Sequence, residues 1–295
     1  MSAPIVVGYD GSPSSTDALD WAATEASLRK RPLRIVHVAS TPVGTVTGFG
    51  IYAAPDADLL VHIGEQTLAA AVQRVEEQHP EIETDGRLVV GQPSRGLLDN
   101  LTGAEMAVVG QRGLSEFKEL LLGSTGFVLA THAHCPVVVV RPSTVAAGEE
   151  AGRVVVGVDG SESSMLALGF AFDEASVRQC GLTALHSWEA TFYEVRGRGG
   201  PLTRQLVDEF QGDELRLLAE SLAGWREKYP DVDVRQVLHH GEAVENLVAA
   251  SAGASLLALG SRGRGGFRSL VLGSTSHALL HHAQCPVAVI PAAHS

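Results

Sequence analysis

Ile5-Val-Val-Gly-Tyr-Asp-Gly-Ser12 and Val154-Val-Val-Gly-Val-Asp-Gly-Ser161 are the same phrase twice, 149 residues apart from Asp10 to Asp159. Each is an apolar, β-branched run ending on glycine, turning at Asp-Gly and stopping at a serine suited to cap a helix. Working outward, Pro80 aligns with Pro230, Gly110 with Gly260, and Cys135-Pro136 with Cys285-Pro286, each 150 apart. Stacked repeats have periods of roughly 20 to 50 residues, so this longer period marks duplication of a whole domain, each copy with its own core. The expected boundaries are residues 1–141 for the first domain, 142–152 for a linker around Ala-Ala-Gly-Glu-Glu, and 153–295 for the second.

Within a copy, strand and helix patterns alternate, the signature of an α/β fold with a parallel sheet. Strands are predicted at Ile5 to Gly8, Leu33 to Ala39, Ile82 to Val90, Met106 to Val109 and Val137 to Val140, with counterparts starting near Val154, Leu182, Val232, Leu256 and Val287. Ser12 and Ser161 cap the first helix of each copy, whose apolar stripes are Leu19, Ala22 or Ala23, Ala26 and Leu168, Ala171, Phe172, Ala175. A second helix carries Leu68, Ala71, Val72, Val75 in one copy and Leu215, Leu218, Leu222, Trp225, Tyr229 in the other. Segments 41–55 and 189–201 align poorly and are expected to be long loops over one end of each sheet, placed to act as flaps.

Composition narrows the function classes. The 295 residues are 45% hydrophobic and 19% charged, with a formal net charge of -12, a field that repels a phosphate backbone or an anionic membrane. Neither nucleic acid nor membrane is an expected partner. No apolar run approaches the roughly 18 residues of a membrane span, and Met1-Ser2-Ala3-Pro4 lacks a basic export leader, so a soluble, cytoplasmic protein is expected. Two of the three cysteines, Cys135 and Cys285, occupy one repeated position; they mark repetition, not a disulfide framework.

The chemistry lies after the fourth strand. There the sequence runs Gly110-Gln-Arg-Gly113, nine residues, Gly123-Ser124-Thr125, and in the second copy Gly260-Ser-Arg-Gly263, nine residues, Gly273-Ser274-Thr275. Glycine serves where backbone must approach a ligand or adopt positive φ, and consecutive free amides make an anion site. Ser124-Thr125 and Ser274-Thr275 are expected to cap the next helix, whose N-terminal dipole favours the same negative charge. Arg112 and Arg262 add a cation in an acidic chain. Asp10 and Asp159 end their first strands where ligands bind at the reversal of strand order, placed for a ribose hydroxyl or a nucleotide-bound Mg²⁺; a turn or capping role is the plain alternative.

These features together, with the second strands ending His37-Val38 and His186-Ser187 and the Cys-Pro-Val before each last strand, resemble the universal stress protein family over nearly the whole chain. The tandem arrangement is similar to actinobacterial two-domain members linked to dormancy and to hypoxic or oxidative stress. The intact glycine loops resemble the ATP-binding branch. The resemblance implies, in each copy, a five-stranded parallel Rossmann-like sheet of order 3-2-1-4-5 with helices on both faces. It also implies adenine held by backbone at Val38 and Ser187, with Gly8 and Gly157 admitting the nucleotide and the glycine loop taking ribose and phosphates. The expected role is that of an ATP-binding regulator or sensor with unidentified protein partners and little or no hydrolysis.

Other readings compete. A P-loop enzyme needs G-x4-G-K-[ST], and the only lysines are Lys30, Lys118 and Lys228, none in that setting. An ATP-pyrophosphatase-type enzyme has a Ser-Gly-Gly-rich loop after the first strand, where this chain has Gly-Ser-Pro or Gly-Ser-Glu. A partner-binding scaffold stabilised by nucleotide is a third reading. The histidines near each last helix, His132, His134, His277, His281 and His282, are not expected to hold metal, because the i, i+4 pair His277 and His281 faces Phe127 and Thr131 in the alignment.

Two expectations concern the copies jointly. The last strands, Val137 to Val140 and Val287 to Ile290, are apolar and need cover, which predicts an intramolecular pseudo-dimer through them, with homodimerisation open. The charges between the loop glycines and serines are Arg112, Glu116, Lys118 and Glu119 in the first copy, but Arg262, Arg264 and Arg268 in the second. The second site is therefore expected to hold triphosphate more tightly.

Overall fold

The computed structural model describes residues 2–40, 46–47, 50–51, 57–113, 123–141, 149–189, 204–263 and 272–292. The chain divides into two units, Met1–Pro142 and Ser143–Ser295. The first runs β1 (Ile5–Gly8), α1 (Pro13–Arg29), β2 (Leu33–Ala39), a hairpin of β3 (Val46–Thr47) and β4 (Gly50–Ile51), α2 (Ala57–Gln78), β5 (Thr84–Val90), α3 (Pro93–Asp99), β6 (Met106–Gly110), α4 (Ser124–His132) and β7 (Val137–Val140). The second runs β8 (Val154–Gly157), α5 (Glu162–Val177), β9 (Leu182–Trp188), α6 (Arg204–Leu222), α7 (Trp225–Lys228), β10 (Val234–His240), α8 (Ala243–Ala250), β11 (Leu256–Gly260), α9 (Ser274–His282) and β12 (Val287–Ile290).

Strand neighbours in the first unit are β5-β2-β1-β6-β7, and in the second β10-β9-β8-β11-β12. All these pairings are parallel, so each unit has the expected order 3-2-1-4-5. Ile5 pairs with Leu33 on one side and Met106 on the other, which puts β1 at the centre and explains why Ile5, Val6 and Val7 are buried on both faces. Right-handed crossovers place α1 and α2 on one face and α3 and α4 on the other, and each of those pairs is in contact.

Local chemistry sets the first helix. Ser12 has extended φ and ψ, its side chain accepts from the Ser15 amide, and Pro13 takes the first helical place; Ser161 accepts from Ser164 in the second unit. The stripes Ala18, Leu19, Ala22, Ala23, Ala26 and Ala167, Leu168, Ala171, Phe172, Ala175 are buried.

Three sequence expectations change. Strands β5 and β10 start two residues late, because the amides of Ile82 and Val232 close turns onto the carbonyls of His79 and Tyr229. The stripe from Leu215 to Tyr229 is not one helix: Gly224, at φ 81°, breaks it, and Trp225 and Tyr229 turn back to stack on Phe172 at 5.8 and 5.6 Å. Leu215 is exposed, while Leu218 and Leu222 are buried. The first unit ties α1 to α2 differently, through a bidentate Arg74 to Asp20 pair at 2.7 Å.

Thr183 and Glu150 anchor the start of the second unit. Arg153 donates to Thr183, to Asp233 and to the Leu182 carbonyl, while Arg235 donates to Glu150, fastening residues 150–153 to the N-terminal ends of β9 and β10. Among the described residues no helix is long and apolar enough to cross a membrane.

Candidate functional site

Parallel register brings the C-terminal ends of β1, β2 and β6 to one edge, and the order of strands reverses between β1 and β6, which opens a crevice there. A cavity of about 710 Å³ fills it, lined by Gly8, Asp10, Val38, Gly110, Arg112, Gly113, Gly123, Ser124 and Thr125. The equivalent cavity of the second unit, about 530 Å³, is lined by Gly157, Asp159, Ser187, Gly260, Arg262, Gly263, Gly273, Ser274 and Thr275. Residues separated by more than 100 positions thus converge in each copy on a volume of the size that holds a small ligand. Leu97 and Leu247, from α3 and α8, also line the two cavities. Those helices are not announced by the periodicity, since each is under nine residues long; Pro93 and the pair Leu97 and Leu101 are the available signal.

The loop glycines do not serve positive φ: among the described residues of the two loops none has it. A Cβ on Gly110 would overlap the carbonyl of Ser14, and one on Gly260 would sit 2.6 Å from the carbonyl carbon of Ser163, so these two let the end of β6 or β11 pack against the first turn of α1 or α5. A Cβ on Gly113 would lie 2.5 Å from Asp10 Oδ2, and on Gly263 2.7 Å from Asp159 Oδ2; these two make room for the carboxylates. Gly8 and Gly157 leave space for the side chains of Leu97 and of Leu259 and Leu247.

Ser124 and Ser274 are not caps. The capping residues are Gly123 and Gly273, in extended conformation and without a side-chain cap hydrogen bond, so each serine is the first helical residue. The physical reason is that the Gly123 amide is already spent on the Gln111 carbonyl at 2.9 Å, and the Gly273 amide on Ser261 at 2.7 Å, which fixes the helix start one residue early. The amides of the next residues then open onto the cavity with the positive end of the helix dipole behind them. The same two bonds bring the ends of each nine-residue stretch together. Residues 114–122 and 264–271, with Glu116, Lys118, Glu119, Arg264 and Arg268, lie outside the described residues, as do most of segments 41–55 and 189–201.

The Asp10 carboxylate accepts from the Ser12 amide at 3.0 Å, and Asp159 accepts from both the amide and the hydroxyl of Ser161, at 2.9 and 2.6 Å. The plain turn reading is therefore present, and the cavity-lining one with it: one oxygen shapes the turn while the other faces the loop glycine. Behind each turn sits a buried histidine. His37 Nδ1 meets the Tyr9 carbonyl at 2.8 Å and His186 Nδ1 meets the Val158 carbonyl at 2.6 Å, holding the residue just before each aspartate. His186 also meets Glu214 through Nε2 at 2.7 Å; the aligned position in the first unit is Gly64, packed directly on His37. Arg112 and Arg262 line the cavities and are exposed.

Two stretches, 1–141 and 150–291, match the Universal stress protein family. A universal stress protein of Mycobacterium bovis is 37% identical over 97% of this chain and 96% of its own length. The chain belongs to the universal stress protein family. A second relative, a universal stress protein of Mycobacterium tuberculosis, is 36% identical over 97% of this chain and 95% of its own. Among solved structures, a universal stress protein from Archaeoglobus fulgidus has a similar fold, at TM-score 0.67 and 20% identity, covering 99% of this chain and all of that one.

Other universal stress protein landmarks are packing features. Cys135 and Cys285 are buried, and burial pushes the Cys135 thiol up to about 11. Cys135 is therefore expected to resist alkylation at neutral pH in the folded protein. A folded-state value above the ordinary one near 9.0 adds stability that is complete below pH 9 and is lost as pH rises toward 11. Mass spectrometry of folded against unfolded protein after iodoacetamide checks this. The rings of His277 and His281 lie 4.8 Å apart, and among the described residues no group of three or more His, Cys, Asp or Glu is placed to hold a metal ion.

Proposed function

We propose that each unit binds one adenine nucleotide, ATP with Mg²⁺, and that the chain is a nucleotide-dependent regulator in stress or dormancy adaptation. The observation that carries this reading is the double convergence: in both units an aspartate just after the first strand, a glycine turn and a helix N-terminus without a side-chain cap line one nucleotide-sized cavity. The free first-turn amides after Gly123 and Gly273 suit phosphate, and Arg112 and Arg262 add charge at the same place. Asp10 and Asp159 would take the ribose hydroxyls or the metal. The strand ends at Val38 and Ser187 would take the base through backbone groups.

The same cavities argue for slow chemistry. Among the described lining residues there is no lysine, and each aspartate is already engaged in its turn, so nothing is poised to orient a water and stabilise a departing phosphate. Turnover is expected below roughly 1 per second, the low end for kinases. A steady-state phosphate-release assay that finds faster hydrolysis contradicts this. The regulatory part is tested by capturing cell proteins on the full chain with and without ATP: partners whose retention changes with nucleotide are expected, and identical retention contradicts a switch.

A further inference from the structure

The two cavities differ on the base side by an exchange of paired residues. In the first unit Val38 is the last residue but one of β2, and Gly96 of α3 lies against it: a Cβ there would be 3.1 Å from Val38 Cγ2. The wall is apolar and full. In the second unit the aligned positions carry Ser187 and Asn246, so a large side chain facing none becomes a small one facing an amide. Asn246 Nδ2 donates to Ser187 Oγ at 3.1 Å. Accepting that bond leaves the serine proton to point elsewhere, and Ser187 lines the cavity.

We infer that the second site reads its base with a side chain as well as with backbone: Ser187 donates its hydroxyl proton to an unprotonated ring nitrogen of the base, and Asn246 is the positioning residue that orients it. The inference rests on the proposed nucleotide site and adds a determinant the first unit lacks. Half-burial of both residues favours the bond, because a hydroxyl shielded from water on one side and fixed by Asn246 has less solvent to compete for its proton. Gly64 on one side and Glu214 on the other accompany the exchange, and the second cavity is the smaller of the two.

The test uses the full chain in a Gly113→Ala background, so that only the second site is read, titrated with ATP and with inorganic tripolyphosphate, which has no base. Ser187→Val and Asn246→Gly are each expected to weaken ATP binding roughly three- to tenfold, the span of one neutral hydrogen bond, and to leave tripolyphosphate unchanged. Ser187→Thr, which keeps the hydroxyl, should restore most of the ATP affinity. The double variant Ser187→Val with Asn246→Gly rebuilds the first unit's pair and guards against a packing defect. Unchanged ATP binding in that double variant overturns the inference, as does an equal loss of ATP and tripolyphosphate. A Gly113→Ala parent that binds neither ligand overturns the proposed function itself, and this inference with it.

Discussion

Replacing Gly113 with alanine is expected to remove about one of two equivalents of bound ATP, and replacing Gly263 the other. The reason is local. A Cβ at either position would come within 2.5 or 2.7 Å of an aspartate Oδ2, so the carboxylate must swing into the space a nucleotide would fill. Far-ultraviolet circular dichroism should be unchanged, since the atoms in conflict belong to a movable side chain and not to backbone. Gly110→Ala and Gly260→Ala make a contrast: there the new methyl meets the backbone at Ser14 or Ser163, and the helix must separate from the sheet. Those variants should lose stability as well as ligand. Isothermal titration together with thermal unfolding of all four proteins separates the two classes of glycine, and two full equivalents in Gly113→Ala would show that the loop is not a nucleotide site.

The second large effect is on stability. Phe172 is fully buried, on the inner face of α5, and carries the stack of Trp225 and Tyr229 that closes the second unit after Gly224 breaks the helix. Phe172→Ala removes the largest fully buried side chain described and leaves the two rings without a base. A loss of about 3 to 5 kcal/mol is expected for the second unit. Val138→Ala, a smaller deletion in a first-unit strand, supplies the control for that unit. Urea unfolding followed by tryptophan fluorescence checks this, because Trp225 reports on the affected unit, and a loss under 1 kcal/mol would mean that the stack is not part of its core.

Much of this was legible in the sequence for one reason: the chain contains its own comparison. A lone Asp-Gly-Ser is an ordinary turn, but Asp10 and Asp159 recur at one address beside one glycine spacing, and chance does not repeat both. The parallel sheet followed from strand and helix alternation, and its order from the family resemblance. What escaped reading depends on contacts far apart in the chain. No periodicity announces α3 and α8, which are too short to show a full stripe. The capping role of Gly123 is set by its bond to Gln111, which spacing cannot reveal. The glycine spacing was seen, but positive φ, one of the two causes read for it, is not found at the described loop glycines: tight packing on Ser14 and Asp10 leaves the same mark in the sequence. Asn246 was silent because its partner, Ser187, is 59 residues away.

The universal stress protein fold alone does not fix what these cavities hold. The most direct measurement is the nucleotide stoichiometry of the intact chain, by equilibrium titration with ATP and by chromatography of nucleotide released on denaturation. Two equivalents of adenine nucleotide per chain are expected, falling to one in either Gly113→Ala or Gly263→Ala. No adenine nucleotide released and no heat or displacement on titration of the wild type would contradict this expectation.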